Sequence, residues 1–158
     1  MKKNFLFLFA IFLMFNLFGQ QQINKTLFFD GQNRNYIIYI PASYNGIVNY
    51  PVLFSFHGGG GDGQGMIGIN DMRPIADTAN FIAVYPSGSD GAWMHKVPTT
   101  YNDIYFVEAI IDTLNLEFNV DNDRIYACGY SEGGIFSYEL ACRLSNRIAA
   151  VAAVSGSM

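Results

Sequence analysis

The stretch from Tyr126 to Phe136, YACGYSEGGIF, constrains the fold more than any other part of this sequence. An apolar run, Asp123 to Tyr130, leads directly into a Gly-x-Ser-x-Gly, and a pattern with small residues begins at Glu132. Such a run predicts a buried strand, and the small residues predict a helix that lies close on the sheet. A strand that turns sharply into a helix is a unit of α/β proteins.

The rest of the chain alternates strand and helix in the same way. Four further runs are rich in β-branched and aromatic residues: Asn33 to Pro41, Tyr50 to Gly58, Phe81 to Pro86 and Ile148 to Gly156. They are mostly continuous apolar runs, as expected for parallel strands that are buried on both faces. The first of them is predicted to pair with KTLFFD through the turn DGQNR.

Helices are predicted between these strands. DIYFVEAIIDTLNLEF has apolar residues at helical spacing, with Asn102 or Asp103 placed to cap its start, and a weaker helix covers about Asn70 to Ala79. The helix after Ser131 has a small-residue face formed by Gly133, Gly134, Ser137 and Ala141. This order predicts a mostly parallel, doubly wound α/β sheet, whose loops at the carboxyl ends of the strands carry the chemistry.

The first nineteen residues are set apart by composition. A basic start, MKK, precedes an apolar run from Phe5 to Phe18, and Gly19 and a run of glutamines follow. We interpret residues 1–19 as a signal peptide and residues 20–158 as one domain, with an uncleaved anchor or a buried helix as alternatives. The interpretation predicts a secreted or periplasmic protein that has no membrane contact after cleavage.

The charge of the chain bears on whether it binds nucleic acid, and its two cysteines bear on whether it contains a disulfide. Without Lys2 and Lys3 the chain has seven basic and 13 acidic residues, which argues against a nucleic-acid partner. Export would permit a disulfide between Cys128 and Cys142. The two would lie in different layers, too far apart for the geometry of that bond, so we predict two buried free thiols.

Ser131 is the candidate catalytic nucleophile. A tight strand-to-helix turn would force strained backbone angles on the serine, and Gly129 and Gly133 would leave room for it. The helix start would add unpaired N–H groups and a positive dipole end beside the hydroxyl. The alternative is an ordinary serine that caps the helix.

The second candidate motif is HGGGGDGQG, from His57 to Gly65, directly after the strand VLFSF. Acyl transfer needs two N–H donors that face the developing oxyanion, one from the residue after the nucleophile and one from a neighbouring loop. We predict Glu132 and Gly59 as those donors. A dinucleotide loop with the spacing G-x-G-x-x-G and a plain flexible loop are the alternatives.

These motifs resemble the secreted α/β-hydrolase esterases of the polyhydroxybutyrate depolymerase and feruloyl or acetylxylan esterase group. The segments YIIYIP, HGGGG, FIAVYPSG, the lone tryptophan and DIYFVEAIIDTLNLEFNVDNDRIYACGYSEGG follow the family in order and spacing, as does SYELACRLSNRIAAVAAVSG, from about Asn33 to Gly156. The resemblance implies a serine carboxylesterase that acts on acyl groups of plant polysaccharide or on polyester, with no cofactor and no metal.

The resemblance also implies site residues. Ser131 matches the nucleophile, and Gly59 and Glu132 match the oxyanion donors. Trp93 and Tyr130 are candidate substrate-binding residues, with packing of a long loop as the alternative for Trp93, Met94 and Tyr101. Asp103 resembles a family aspartate, although a helix-capping role explains it.

The sequence departs from the family pattern after the nucleophile. In this fold an acid and a histidine follow the serine, yet neither Asp nor His occurs after Ser131. His57 is expected to hold the glycine loop, and His95 is expected at the surface or the mouth of the site. We therefore expect a C-terminally incomplete fold, the amino-terminal part of an esterase of roughly 250 to 300 residues, with the Ile148 to Gly156 strand at an uncovered edge.

Three classes of function fit the sequence. The first is the secreted serine esterase. The second is a serine peptidase of the prolyl oligopeptidase type, which shares the strand–serine–helix turn, and the third is a binding or remnant domain that keeps the cleft without the chemistry. The oligomeric state is not predicted.

Overall fold

The computed structural model describes residues 19–95 and 102–157, which form one six-stranded sheet with helices on both faces. The strands are β1 (Gln21–Phe29), β2 (Gln32–Ile40), β3 (Tyr50–Phe56), β4 (Ile82–Pro86), β5 (Val120–Tyr130) and β6 (Ala150–Val154). Their order in the sheet is β1-β2-β4-β3-β5-β6, and β2 runs antiparallel to both of its neighbours. β4, β3, β5 and β6 pair parallel to one another, so their carboxyl ends meet at one edge of the sheet.

The predicted hairpin is present. β1 and β2 pair antiparallel in an unbroken register, with Thr26 opposite Asn35. Asp30 and Gly31 both have positive φ, the backbone of a two-residue turn that matches the twist of the strands. The first strand begins at Gln21, several residues before the predicted segment.

Four helices lie on the sheet: α1 (Gly63–Ile69), α2 (Arg73–Ala79), α3 (Asp103–Glu117) and α4 (Glu132–Arg143). α3 and α4 match the predicted helices. α2 begins later than predicted, and α1 was not predicted, because its sequence GQGMIGI has three glycines and glycine disfavours helix interiors. Asp62 caps α1 by accepting a hydrogen bond from the N–H of Gly65 at 2.7 Å.

The two faces of the sheet have separate cores. α3 and α4 cover one face, where Phe54, Phe56, Phe106 and Phe136 are fully buried. α1 and α2 cover the other, smaller core, which includes Tyr85. The predicted doubly wound α/β arrangement is therefore confirmed.

β6 lies at the edge of the sheet, and one of its faces is open. Val151 packs against the core beneath α4, whereas Ala150, Ala152 and Val154 are exposed. Val154 keeps 59% of its surface exposed. The expectation of an apolar edge strand without cover on one side is confirmed for the described residues.

Both cysteines are free, as predicted, but only Cys128 is buried. Cys142 is exposed because its position on α4 faces away from the sheet, so the prediction of a second buried thiol was wrong. Ala141, predicted on the packed face of α4, is only half-buried, whereas Gly133, Gly134 and Ser137 are buried.

The predicted signal peptide lies almost wholly outside the described residues, as residues 1–18 do. Among the helices that the structure describes, none is both long enough and apolar enough to span a bilayer.

Candidate active site

Ser131 lies in the turn between β5 and α4 with φ 54° and ψ −119°. A positive φ is strained for a residue with a side chain, and such strain persists only where surrounding contacts fix it. The N–H of Ser131 donates to the carbonyl of Val154 at 2.8 Å, and its own carbonyl accepts from Gly134 and Ile135. These contacts hold the backbone of the turn from both sides.

The hydroxyl of Ser131 is not used as a helix cap. Ser131 occupies the N-cap position of α4, but its side chain makes no capping hydrogen bond. The strained turn and the uncommitted hydroxyl favour the nucleophile interpretation over that of an ordinary capping serine.

Gly129 and Gly133 make the turn sterically possible. A Cβ at Gly129 would lie 2.2 Å from the carbonyl carbon and oxygen of Gly133, and a Cβ at Gly133 would lie 2.3 Å from the carbonyl oxygen of Phe56. Real side chains do not approach backbone atoms so closely. The two glycines therefore allow β3, β5 and α4 to meet at the turn; the sequence predicted that they leave room for the serine, but not the contact with β3.

The glycine loop after β3 packs against the turn. A Cβ at Gly58 would lie 3.3 Å from the Cβ of Ser131, and a Cβ at Gly59 would lie 2.8 Å from Oε2 of Glu132. The two predicted N–H donors, of Gly59 and Glu132, thus belong to residues in mutual contact next to Ser131. Among the described residues, neither N–H donates to a protein acceptor, so both are available to a ligand oxygen.

Several hydrogen bonds fix the glycine loop. Nδ1 of His57 lies 2.7 Å from the carbonyl oxygen of Gly58, and Nε2 accepts from the N–H of Gly88 at 2.9 Å. These partners assign the proton to Nδ1 and leave neither ring nitrogen free to act as a base. The N–H of Gly60 also donates to the carbonyl of Gly91, which removes a donor that a phosphate-binding loop would need.

Trp93 lies beneath this loop rather than in an open cleft. Its side chain is 3% exposed, its indole N–H donates to the carbonyl of His57 at 2.8 Å, and its ring stacks on Phe136 with centroids 4.7 Å apart. This placement favours the packing alternative for Trp93, because a buried ring whose polar atom is already paired offers little surface to a ligand; its substrate-binding role stays a prediction. Met94 is 39% exposed, whereas Tyr101 falls outside the described residues.

Tyr130 occupies a more suitable position for binding. It precedes Ser131, it is 41% exposed, and its ring passes close to Gly58, where a Cβ would lie 3.3 Å from Cδ1. Its substrate-binding role stays a prediction.

Asp103 does not cap α3. The capping residue is Asn102, whose side chain accepts from the N–H of Ile104 at 3.0 Å. Asp103 is fully buried and pairs with Arg34, which is itself only 3% exposed. Of the two predicted caps, Asn102 is therefore confirmed and Asp103 was wrong, because a single sequence does not show that β2 carries a buried cation opposite this carboxylate.

The Arg34–Asp103 pair anchors the segment that supports the glycine loop. Oδ2 of Asp103 accepts from the N–H of Met94 at 2.5 Å, Arg34 donates to the carbonyl of Ser87 at 3.2 Å, and the guanidinium stacks on Phe106 at 4.2 Å. Burial raises the pKa of Asp103 above its ordinary value, while Arg34 opposes that rise. Arg34 was missed at the sequence level, and its only signal was a single cation near the start of β2, two residues before the apolar run Tyr36–Ile40.

His95 lies along α4 and away from Ser131. Its Nδ1 is 3.8 Å from Oε1 of Glu139, and its backbone carbonyl accepts a hydrogen bond from Arg143. The His95 ring also lies 6.1 Å from the ring of Phe136, and Phe136 and Glu139 follow Ser131 by five and eight residues, so His95 lies beside the body of α4 rather than at its start. No histidine among the described residues is therefore placed to take the proton of Ser131, and none of their acidic, cysteine or histidine clusters is arranged to hold a metal ion.

No protein-family model matches the chain. Among curated proteins, it is 35% identical over 126 residues to a bifunctional acetylxylan esterase/xylanase of Neocallimastix patriciarum, covering 80% of this chain and 18% of that protein. It is 28% identical over 138 residues to feruloyl esterase D of Neurospora crassa, covering 80% of this chain and 47% of that protein. The chain spans about half the length of the feruloyl esterases that it matches.

Solved structures show the same fold. An acetyl xylan esterase from Aspergillus awamori superimposes with a TM-score of 0.75 at 21% identity, over 86% of this chain and 52% of the other. An S-formylglutathione hydrolase from Agrobacterium tumefaciens gives 0.72 at 18% identity, over 88% of this chain and 59% of the other. The chain has the α/β-hydrolase fold, and its homologues are carboxylic ester hydrolases.

Proposed function

We propose that this chain is the nucleophile-bearing part of a serine carboxylesterase that hydrolyses acyl esters on plant polysaccharide. The observation that carries the proposal is the strained Ser131 with an uncommitted hydroxyl, next to the two unpaired N–H groups of Gly59 and Glu132. The names of the related feruloyl and acetylxylan esterases support the substrate class. The first nineteen residues support export.

In the proposed reaction, Oγ of Ser131 attacks the ester carbonyl carbon as its proton passes to a base. The carbonyl oxygen becomes an oxyanion that accepts from the N–H groups of Gly59 and Glu132. The bond to the sugar oxygen then breaks, the sugar alcohol leaves with the proton, and the acyl group stays on Ser131. Water attacks this acyl-enzyme, releases the carboxylic acid and restores the hydroxyl.

The described residues do not provide a general base for Ser131. His57 has both ring nitrogens engaged, and His95 lies down α4. In the proposed enzyme the base reaches Ser131 from outside the described residues. A serine without a base is a poor nucleophile, so the isolated chain is expected to be slow.

Chemical rescue tests the proposal. Imidazole in the buffer can stand in for the absent base, so hydrolysis of p-nitrophenyl acetate by this chain should accelerate with imidazole beyond the rate of imidazole alone. Ser131→Ala should abolish that increment, and mass spectrometry should locate a transient acetyl group on Ser131. The matched control is Ser155→Ala, which changes a second serine that also has φ 54° after a strand and is itself exposed.

Equal rates for the chain and for Ser131→Ala at every imidazole concentration would contradict the assignment of the nucleophile. The substrate class is tested separately, with acetylated or feruloylated xylo-oligosaccharide against polyhydroxybutyrate. Faster hydrolysis of polyhydroxybutyrate than of the xylo-oligosaccharide esters would favour a polyester as the substrate. Faster cleavage of a peptide than of any ester would favour a serine peptidase.

The alternative function is a binding domain that keeps the cleft without the chemistry. Its support is that, among residues 19–95 and 102–157, His57 has both ring nitrogens engaged and His95 lies beside Glu139, so neither is shown to contact the Ser131 hydroxyl. Binding of substrate with no acyl-enzyme at any imidazole concentration would favour it.

A further inference from the structure

A polar groove lies at the carboxyl end of the sheet, away from Ser131. It has a volume of about 410 Å³ and runs between the β1–β2 hairpin and the start of α1. Its lining includes Asn24, Thr26, Asn35, Asp62, Gln64 and Ser87. Ser87 directly follows β4, so the groove opens on the same edge of the sheet as the serine.

The hairpin face beside this groove has an unusual composition for an edge strand. Asn24, Thr26 and Phe28 alternate along β1, and Asn33 and Asn35 lie opposite on β2, all of them exposed. Asparagine is disfavoured in strands, and exposed edges are ordinarily protected by charged side chains. Three exposed asparagines on one face therefore run against strand propensity, while the one charged residue of the edge strand β1, Lys25, pairs with Glu117 of α3.

Phe28 is the second anomaly on this face. Its side chain is 71% exposed, more than any other phenylalanine that the structure describes. It follows Thr26 by two residues and so lies roughly 7 Å further along the same face of β1. An exposed aromatic ring in line with hydrogen-bonding amides offers a flat apolar surface next to polar partners.

The groove is held rigid before any ligand arrives. The hydroxyl of Thr26 donates to Oδ1 of Asn35 at 2.9 Å, which leaves the amide NH₂ of Asn35 as a donor. The carbonyl of Asn35 accepts from the N–H of Ser87, and the hydroxyl of Ser87 accepts from the N–H of Gly63. The hairpin, β4 and α1 are thereby tied together, which lowers the entropic cost of binding.

The lining favours a neutral ligand rich in hydroxyl groups, because its charged side chains are already engaged; the carboxylate of Asp62 accepts from the N–H of Gly65 at 2.7 Å. Lys25 borders the groove, but its ammonium pairs with Glu117 at 2.7 Å, so the described residues that line the groove offer no free cation to a phosphate. Amide side chains both donate and accept, as sugar hydroxyls do. The C–H face of a pyranose ring packs on an aromatic side chain such as Phe28, which is a large apolar surface.

We propose that the groove and Phe28 form a subsite for the polysaccharide backbone of the substrate. The sheet order places β2 three strands and β1 four strands from β5, so the subsite lies roughly 14 to 19 Å from Ser131. A chain of several sugar units spans that separation. The subsite holds the polymer while an acyl group on a remote unit reaches the serine, and this deepens the proposed function on which it rests.

The test measures binding without catalysis. Titration calorimetry with unesterified xylohexaose gives the association constant, and amide shifts of the ¹⁵N-labelled chain locate the contact. Phe28→Ala should weaken the association at least tenfold and Asn35→Ala about threefold, with shifts centred on β1 and β2. Leu116→Ala is the matched control, because it truncates an apolar side chain that is 88% exposed on α3; it should change the constant less than twofold.

Two outcomes would overturn the subsite: no association at millimolar xylohexaose, or an association that Phe28→Ala and Asn35→Ala leave unchanged. Ser131→Ala separates this proposal from the esterase proposal, because it should leave xylohexaose binding intact. Binding at the groove with no acyl-enzyme would contradict the esterase alone. Ser131-dependent ester hydrolysis with no binding would contradict the subsite alone.

Discussion

β4 and β6 are both five-residue apolar strands of the parallel part of the sheet, yet their surroundings differ completely. All five residues of β4 are buried, because the strand lies between β2 and β3 with helices on both faces. β6 has β5 as its only described neighbour and α4 on one face, so every second residue is exposed. An apolar run therefore predicts a strand, but the cover of that strand comes from the rest of the chain.

Matched charged substitutions in the two strands should give the largest contrast. Val84 is fully buried in β4, so Val84→Asp places an unpaired carboxylate in the core and should prevent cooperative folding. Val154→Asp on the open face of β6 should change the free energy of unfolding by less than about 0.5 kcal/mol. Urea denaturation followed by circular dichroism measures both.

The same pair tests the open edge. An uncovered apolar strand promotes association, so Val154→Asp should also reduce self-association in sedimentation velocity. Equal destabilisation by the two substitutions would show that β6 is covered in solution, and the contrast between the strands would not hold.

Ion pairs should show the second largest contrast. Asp103→Asn leaves Arg34 buried without its carboxylate and should cost about 3 to 5 kcal/mol. Glu117→Gln breaks the partly exposed pair with Lys25 and should cost less than about 1 kcal/mol. The free energies of unfolding from denaturant titration measure both costs.

A fluorescence measurement adds what stability alone would not reveal. Trp93 is the only tryptophan of the chain and hydrogen-bonds the glycine loop, while Asp103 holds the adjacent Met94. Under native conditions, Asp103→Asn should shift the tryptophan emission to longer wavelength and Glu117→Gln should not. An unchanged spectrum in a folded Asp103→Asn variant would show that the Arg34–Asp103 pair does not position the glycine loop.

Substitution of two helix glycines by alanine should give the third largest contrast in stability. In Gly133→Ala, the new methyl group would lie 2.3 Å from a backbone oxygen at the end of β3, and the forced shift should cost about 2 to 3 kcal/mol. In Gly68→Ala on α1, nothing lies within 4 Å, so a gain of about 0.5 to 1 kcal/mol is expected. Thermal unfolding distinguishes the two signs, and a stabilised Gly133→Ala would disprove the close approach of α4 to the sheet.

The local units of this fold could be predicted from sequence because each carries its own pattern. The strand, glycines and helix around Ser131 lie within about twenty consecutive residues, and the close contact between Gly129 and Gly133 follows from them. The glycine loop was recognisable for the same reason. Its contact with Glu132 was inferable from the shared edge of parallel strands.

Features that join distant segments could not be predicted. Arg34 and Asp103 are 69 residues apart, and neither residue by itself reveals that burial forces them together. Trp93 was taken for a pocket residue because its loop position is visible in sequence, whereas its stacking on Phe136 is not. The open face of β6 was predicted only through the resemblance to longer enzymes.

Alkaline titration should give the smallest contrast, because it acts on one phenol. Burial raises the pKa of Tyr85 from 10 to about 12. The folded state favours the neutral phenol, so this contribution to stability is complete below pH 10 and is lost as pH rises through about 12. Tyr85→Phe should remove that part of the alkaline slope, on the order of 1 to 3 kcal/mol between pH 10 and 12.

Tyr85→Phe also lowers the free energy of unfolding by an amount that does not depend on pH, and this amount must be separated from the pH-dependent loss. The hydroxyl of Tyr85 accepts from the N–H of Met72 at 2.9 Å, so Tyr85→Phe should lose about 1 kcal/mol at every pH. Tyr105→Phe, on a side chain that is 54% exposed, is the matched control for the loss of one phenol. Denaturant midpoints from pH 8 to 12 measure both effects, and an alkaline slope that Tyr85→Phe leaves unchanged would mean that Tyr85 ionises as freely in the folded chain as in the unfolded one.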